Sequence, residues 1–231
     1  MHGHRKPTRA DVLTEYRCGA LLQAATRIFG KHGFECATME QIAREADVAK
    51  GTTYLYYRSK QSIYDAALSR GLAELDEWTC EALDRAPNLH DAIAAFVTAR
   101  TQYFLEHRDF FRMYVAAISR QVTSIKPRAS EFQAMVDRQT RRLEDAIARG
   151  VARGEIRRVN PAAAALAIFD LTRGLMARGI VATRAFDVES EVAFVTSFVW
   201  TGLQKGRREK GKGKRAGANA RPVRKADERQ G

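Results

Sequence analysis

The stretch that most constrains this chain is Thr38–Lys60, TMEQIAREADVAKGTTYLYYRSK, which reads as two short helices joined by a tight turn. Thr38 stands before a helical pattern of Met39, Ile42, Ala43 and Ala46. Gln41 follows three residues on, so hydroxyl and amide can satisfy helix-start N–H groups reciprocally. The pattern fails between Glu45 and Val48, where Asp47 tolerates the left-handed backbone that a sharp turn needs. A second short helix is expected from about Lys50 to Tyr57. If Val48, Thr53 and Tyr57 face inward, then Lys50, Gly51, Thr52, Tyr54, Leu55 and Tyr56 are left on the outer faces.

That outer surface combines a cation, a small residue, hydroxyls and aromatics, a set suited to a DNA major groove. Lys50 can meet a guanine edge or a phosphate, Thr52 a base edge or a phosphate, and Gly51 permits close backbone approach. Tyr54 and Tyr56 offer phenolic donors, and Arg58 and Lys60 add charge beside Ser59, which is placed to cap the next helix. An ordinary helical hairpin with a solvated basic face would use the same residues, so physics alone leaves both readings open. The run TMEQIAREADVAKGTTYLYYRSKQSIYDAAL, with the preceding LLQAATRIFGKHGFECATM, resembles the DNA-binding signature of the tetracycline-repressor (TetR) family of bacterial transcription regulators. The resemblance spans roughly Leu13 to Leu72 and implies DNA contacts from Thr38, Lys50, Gly51, Thr52, Tyr54, Tyr56 and Lys60. Three positions depart from the pattern: Asp47 where glycine is usual, Ala49 where a serine-like cap is usual, and Tyr57 where phenylalanine is usual.

Charge is distributed in a way that fits such a reading. Of a formal net charge of +12, residues 1–60 carry 10 Lys/Arg against 6 Asp/Glu and residues 205–231 carry 11 against 3, while residues 61–204 balance at 18 each. Basic ends imply a nucleic-acid partner, and a neutral body implies a different one. Residues 1–11 are expected to be a disordered basic arm, in which Arg5, Lys6 and Arg9 could add phosphate or minor-groove contacts. Residues 205–231 are expected to be a disordered basic tail, either with nonspecific DNA affinity or merely solubilising. Cys18, Cys36 and Cys80 have no zinc or redox spacing and read as reduced, partly buried thiols. His2, His4, His32, His90 and His107 fall in no metal-ligand motif, and no nucleophile motif occurs. The expectation is therefore no enzyme, no metal and no cofactor, in a cytoplasmic protein without a membrane span.

The rest of the chain reads as all-α, about nine helices in total, with a helix-turn-helix domain over 12–58 and a helical domain over 59–204. A long helix from Ser59 to about Leu83, with Ile63, Ala67, Leu68, Leu72, Leu75 and Trp78 inward, is the natural lever between the two. Helices follow over about Leu89–Glu106, Arg108–Arg120 and Arg128–Arg153, the last ended by Gly154. Asn160-Pro161 opens another, and a final helix carries Val192, Val195, Phe198, Val199, Trp200 and Leu203. The stretch GVARGEIRRVNPAAAALAIFDLTRGLM also resembles the TetR family, more loosely. The resemblance implies that the last two helices pair with those of a second subunit. The small residues Ala162 to Ala167 and the large Phe194, Phe198 and Trp200 agree with that, and with ordinary intrachain core as well. Trp78, Phe96, Arg100, Tyr103, Tyr114, Met135, Gln139, Phe169 and Arg173 are candidates for an effector pocket, with plain core as the competing reading. If Arg100 and Arg173 face the same interior, a carboxylate or phosphate ligand follows.

The function expected on these grounds is a homodimeric regulator, a repressor, that binds a double-stranded, near-palindromic operator and is released by a small molecule. An architectural DNA-binding protein without a ligand and a helical protein-interaction module are the alternatives. The first predicts weak sequence preference, and the second a large exposed apolar patch beyond the dimer interface.

Overall fold

The computed structural model describes residues 8–123, 131–181 and 187–205, and every regular element among them is an α-helix. The helices are α1 (Arg9–Cys36), α2 (Met39–Glu45), α3 (Lys50–Tyr56), α4 (Lys60–Arg85), α5 (Leu89–Glu106), α6 (Arg108–Thr123), α7 (Glu131–Ala152), α8 (Pro161–Val181) and α9 (Val188–Leu203). The break at Ser124–Pro127, most of the break before Asp187, residues 1–7 of the expected arm and residues 206–231 of the expected tail lie outside the described residues.

Local chemistry explains most of the boundaries. Thr38, Ser59 and Asn88 each accept from the backbone N–H three residues on, opening α2, α4 and α5. Asn160 accepts from Ala163 N at 3.1 Å, with Pro161 at the first helical position of α8. Helix α7 ends on Gly154 at φ 70°, where Gly154 N–H reaches the Val151 carbonyl and Glu155 N–H reaches that of Gly150. This leaves the last turn's acceptors satisfied. One expectation is corrected at the start of the chain. Thr8 caps α1, exchanging hydrogen bonds with Asp11, so residues 9–11 are its first turn and not part of a disordered arm. Near its end α1 kinks at Gly33, φ 73°, and runs on to Cys36.

Helices α1 to α3 pack with the start of α4 as a head. Its core is Leu21, Ala25, Ile28, Phe29, Met39, Ile42, Ile63 and Tyr64, with Phe29, Phe34 and Tyr64 in edge and stacked ring contacts. The body, α4 to α9, holds two further clusters: one around Ile93, Phe96, Leu143, Ile147 and Phe169, the other around Leu72, Leu75, Tyr103, Phe104, Phe110 and Tyr114. Helix α4, 26 residues and so about 39 Å long, runs from the head into the body, packing on α1, α5 and α7. A second joint is made by α6 against α1. Met113 enters the head core, and a side chain at Gly30 would meet the Asp109 backbone at 2.6 Å. Two expected placements differ. Trp78 is 39% exposed rather than inward, and the Cys36 thiol is exposed rather than partly buried. Among the described residues no helix is long and apolar enough to cross a membrane, and no cluster of three His, Cys, Asp or Glu could hold a metal.

Candidate functional site

The turn between α2 and α3 shows why its sequence works. Asp47 adopts φ 53°, its N–H bonds the Arg44 carbonyl at 3.2 Å, and Val48 N–H bonds that of Ala43 at 3.0 Å. The pair closes α2 in the manner usually given to glycine, and Asp47 is the described residue other than glycine with a left-handed backbone. Helix α3 then starts on Ala49 without any side-chain cap. Thr53 is buried beneath it, while Val48 and Tyr57 lie half-buried on the head core. Burial, and then the neighbouring Cys18, push the Tyr57 hydroxyl's pKa up.

Outward from α3 stand Lys50, Gly51, Tyr54 and Leu55, with Thr52 half-exposed. An added side chain at Gly51 would meet nothing within 4 Å, so no neighbour in the chain requires glycine there. Leu55, 84% exposed, extends the same face and was not among the expected contacts, although the outward phase of α3 already carried it. An exposed apolar side chain among polar ones suits a thymine methyl group. Four of the expected contacts are already engaged within the chain. Tyr56 is half-buried against the head core. Lys60 turns back, its Nζ 3.0 Å from the Glu35 carbonyl and 4.6 Å over the Phe34 ring. Thr38 spends its hydroxyl on the α2 cap, and Lys50 lies 3.4 Å from Glu40 in an exposed pair that salt or a phosphate can displace.

In the body the candidate pocket residues divide into two groups. Arg100, Phe96, Tyr114, Gln139 and Phe169 are buried together. The Arg100 guanidinium lies 4.2 Å over the Phe169 ring, 5.5 Å from Phe96 and 5.8 Å from Phe104. Its Nη1 donates to Gln139 Oε1, and its Nη2 makes a long bond of 3.5 Å to the Tyr114 hydroxyl. Burial holds its pKa below the usual arginine value, the Tyr114 hydroxyl opposes that shift, and Arg173 adds to it. Arg173 itself is part-exposed and paired with Asp170 at 2.9 Å, so the two guanidiniums are neighbours but only Arg100 faces the interior. Phe104 belongs to this buried cluster too. The spacing Phe96, Arg100, Phe104, four residues each, was the signal that could have found it.

Trp78 and Tyr103 make no contact with the Arg100 guanidinium, although Tyr103 meets Phe104 edge-on at 5.7 Å. They meet edge-on at 5.4 Å near His107, and the Tyr103 hydroxyl bonds the Gly71 carbonyl at 3.0 Å and Glu74 at 3.2 Å. Tyr103 instead borders a separate cleft of about 490 Å³ between α1, α4 and the α5–α6 corner. The side chain of Met135 lies outside those described. On the far face, α8 and α9 bound an open groove of about 910 Å³, lined by Ala163, Ala167, Leu171, Phe194, Phe198 and Gly202 among others. Phe194 and Phe198 are 64% and 62% exposed, whereas Trp200 turns inward onto His90 at 4.9 Å, which removes it from the expected outer set.

Comparison with known proteins covers both halves of this architecture. Residues 21–67 match the profile described as bacterial regulatory proteins, tetR family, and residues 87–177 match a tetracyclin repressor-like C-terminal domain. The HTH-type transcriptional regulator YhgD of Bacillus subtilis, itself uncharacterised, is 30% identical over 94 residues, 39% of this chain and 49% of that protein. The HTH-type transcriptional activator FasR of Mycolicibacterium smegmatis is 33% identical over 109 residues, 46% of this chain and 47% of that protein. The match therefore spans about half the length of each of these relatives. In fold the chain is similar to a Saccharomonospora viridis transcriptional regulator solved in complex with choline, with a TM-score of 0.73, 18% identity, and coverage of 83% of this chain and 99% of that one. With the head matched by one family profile and most of the body by another, the chain belongs to the tetR family of bacterial regulatory proteins, helix-turn-helix regulators of transcription.

Proposed function

We propose that the chain is a cytoplasmic, homodimeric repressor that grips a near-palindromic operator through α3 and is released by a small molecule held in the body. The observation that carries this reading is the α3 surface: Lys50, Gly51, Tyr54 and Leu55 exposed side by side, with a glycine that nothing inside the chain requires. A helix glycine costs about 1 kcal/mol relative to alanine, so its use here supports close approach by something outside the chain. Lys50 and Tyr54 supply phosphate or base-edge contacts, Thr38 and Thr52 flank them, and Lys60 and Tyr56 join only after turning from their present partners. The α8–α9 groove supports the dimer. Its exposed Phe194 and Phe198 stack at 6.3 Å, and Gly174 and Gly202 on the same two helices also have open space above them. Two-fold symmetry would present the reading helices to half-sites about 34 Å apart or a multiple of it. An effector would act by favouring a body conformation in which α4 and the α1–α6 joint carry the heads away from that spacing. Blocking a promoter needs only occupancy, which favours repression.

The test is binding of the purified protein to the region upstream of its own gene against a scrambled duplex at near-physiological salt. A preference of about 10³ or more is expected; equal binding to both duplexes would mean that the operator lies elsewhere or that the charge of residues 205–231 dominates, and repeating the measurement without those residues separates the two. Phe198→Arg should yield monomers in analytical ultracentrifugation and lose operator binding. A dimer that survives that change would assign the groove to another partner. A reporter fused to the operator that rises when the gene is deleted supports repression, and one that falls reverses the sign.

A further inference from the structure

We infer that the buried Arg100 cluster is an acid-recognition site: it takes the carboxylate of an otherwise apolar effector, with Arg100 as counter-ion and Gln139 as the group displaced. The inference rests on the proposed effector-responsive function and names the chemical class of that effector.

Arg100 is fully buried, and among the described residues no carboxylate bonds to it; its polar partners are the neutral Gln139 and Tyr114. A guanidinium cannot shed its proton to escape the cost of burial, as a lysine can. A buried unpaired cation is destabilising, and removing it in favour of a hydrophobic side chain is often neutral or better. Its presence is accounted for if an anion arrives from outside.

The spare hydrogen-bonding capacity points the same way. Arg100 Nε and Gln139 Nε2 are both buried without a partner. Both are donors, so what completes them must be an acceptor. The amide oxygen of Gln139 meanwhile accepts from Arg100 Nη1, which is where one oxygen of a carboxylate would sit in a two-point arginine pair. An arriving acid would take that place, and the turned amide would donate its N–H to the second oxygen. The remaining wall is aromatic, Phe96, Phe104 and Phe169, so the body of the ligand is apolar. Arg173, on α8 one turn beyond Phe169, sits part-exposed and is already paired with Asp170 at 2.9 Å, which leaves Arg100 as the cation facing inward.

The experiment measures binding of linear fatty acids and aromatic carboxylic acids to the full chain by thermal shift and calorimetry, each beside its primary amide. At least one acid is expected to bind about tenfold or more tightly than its amide, the value of one charge-assisted bond. Arg100→Met should melt higher than wild type without ligand and lose the acid preference. Gln139→Glu supplies an internal carboxylate, so it should also melt higher and should block the acids. It keeps the inference testable if Arg100→Met does not fold. Equal affinity for acid and amide, no binding by any acid, or a Gln139→Glu protein that still takes acids would each overturn it. The same acids are then added to the protein–operator complex. Acid binding that leaves DNA bound would remove the effector function and keep the site. Release by neutral compounds alone would keep the function and remove the site.

Discussion

The head and the body are both helical and both closely packed, yet their cores are built on different principles. Around Phe29, Ile42 and Ile63 the head is apolar side chain against apolar side chain, and among the described residues a buried hydroxyl without a partner, that of Thr53, lies on the inner side of the reading helix. Around Phe169 and Phe96 the body encloses a guanidinium held by neutral groups. The contrast is instructive because burial favours apolar contact by about 25 cal/mol per Å² and penalises a lone charge heavily. The head uses that preference to hold one shape, which a reading surface needs. The body gives some of it up, which is reasonable only where an unfilled polar requirement has a use.

That difference can be broken first in the head. Ile42→Ala removes a fully buried side chain and should cost about 2–5 kcal/mol, read as a lower midpoint in thermal melts followed by circular dichroism. Leu55→Ala on the exposed face of α3 should stay within about 0.5 kcal/mol while weakening operator binding. If both changes destabilise equally, the head is not the rigid unit described. The opposite sign expected for Arg100→Met in the body sharpens the same contrast.

The joint between the two regions gives the next largest effect. A methyl group at Gly30 would lie 2.6 Å from the Asp109 carbonyl oxygen, and backbone cannot swing aside as a side-chain tip can. Gly30→Ala should therefore destabilise by about 1–3 kcal/mol and shift operator affinity without altering any exposed group on α3. Unchanged DNA affinity in a folded Gly30→Ala protein would mean that the α1–α6 contact does not set the position of the heads. At the start of the reading helix the expected effect is a gain. Ala49 leaves α3 uncapped, so Ala49→Ser should stabilise that helix by about 1 kcal/mol, seen as slower amide hydrogen exchange within α3.

How much of this was legible before the fold was known depended on the range of the interaction concerned. Caps and turns were read correctly because their partners lie three to five residues away: Thr38 with Gln41, Asp47 in the left-handed turn, Gly154 after α7, Asn160 before Pro161. The outward phase of α3 was legible for the same reason, since a seven-residue helix has one buried side and Thr53 marks it. Placements set by a distant partner were not legible in this way. Lys60 is drawn away by a carbonyl 25 residues earlier, and Tyr103 by Gly71, 32 residues earlier. Trp78 lies on the same helix as Leu75 yet is 39% exposed, with its ring edge-on to Tyr103.

The sequence by itself determined where helices start and stop, that a sharp turn joins α2 to α3, and which residue types α3 presents, because backbone satisfaction and helical phase are local. Only the tertiary structure decided that Arg100 is enclosed while Arg173 reaches the rim, and that Trp200 turns inward while Phe198 remains in the open. A helical period assigns residues to a face. What comes to cover that face, and which charges are left without a partner beneath it, is settled only when α5, α7, α8 and α9 close on one another.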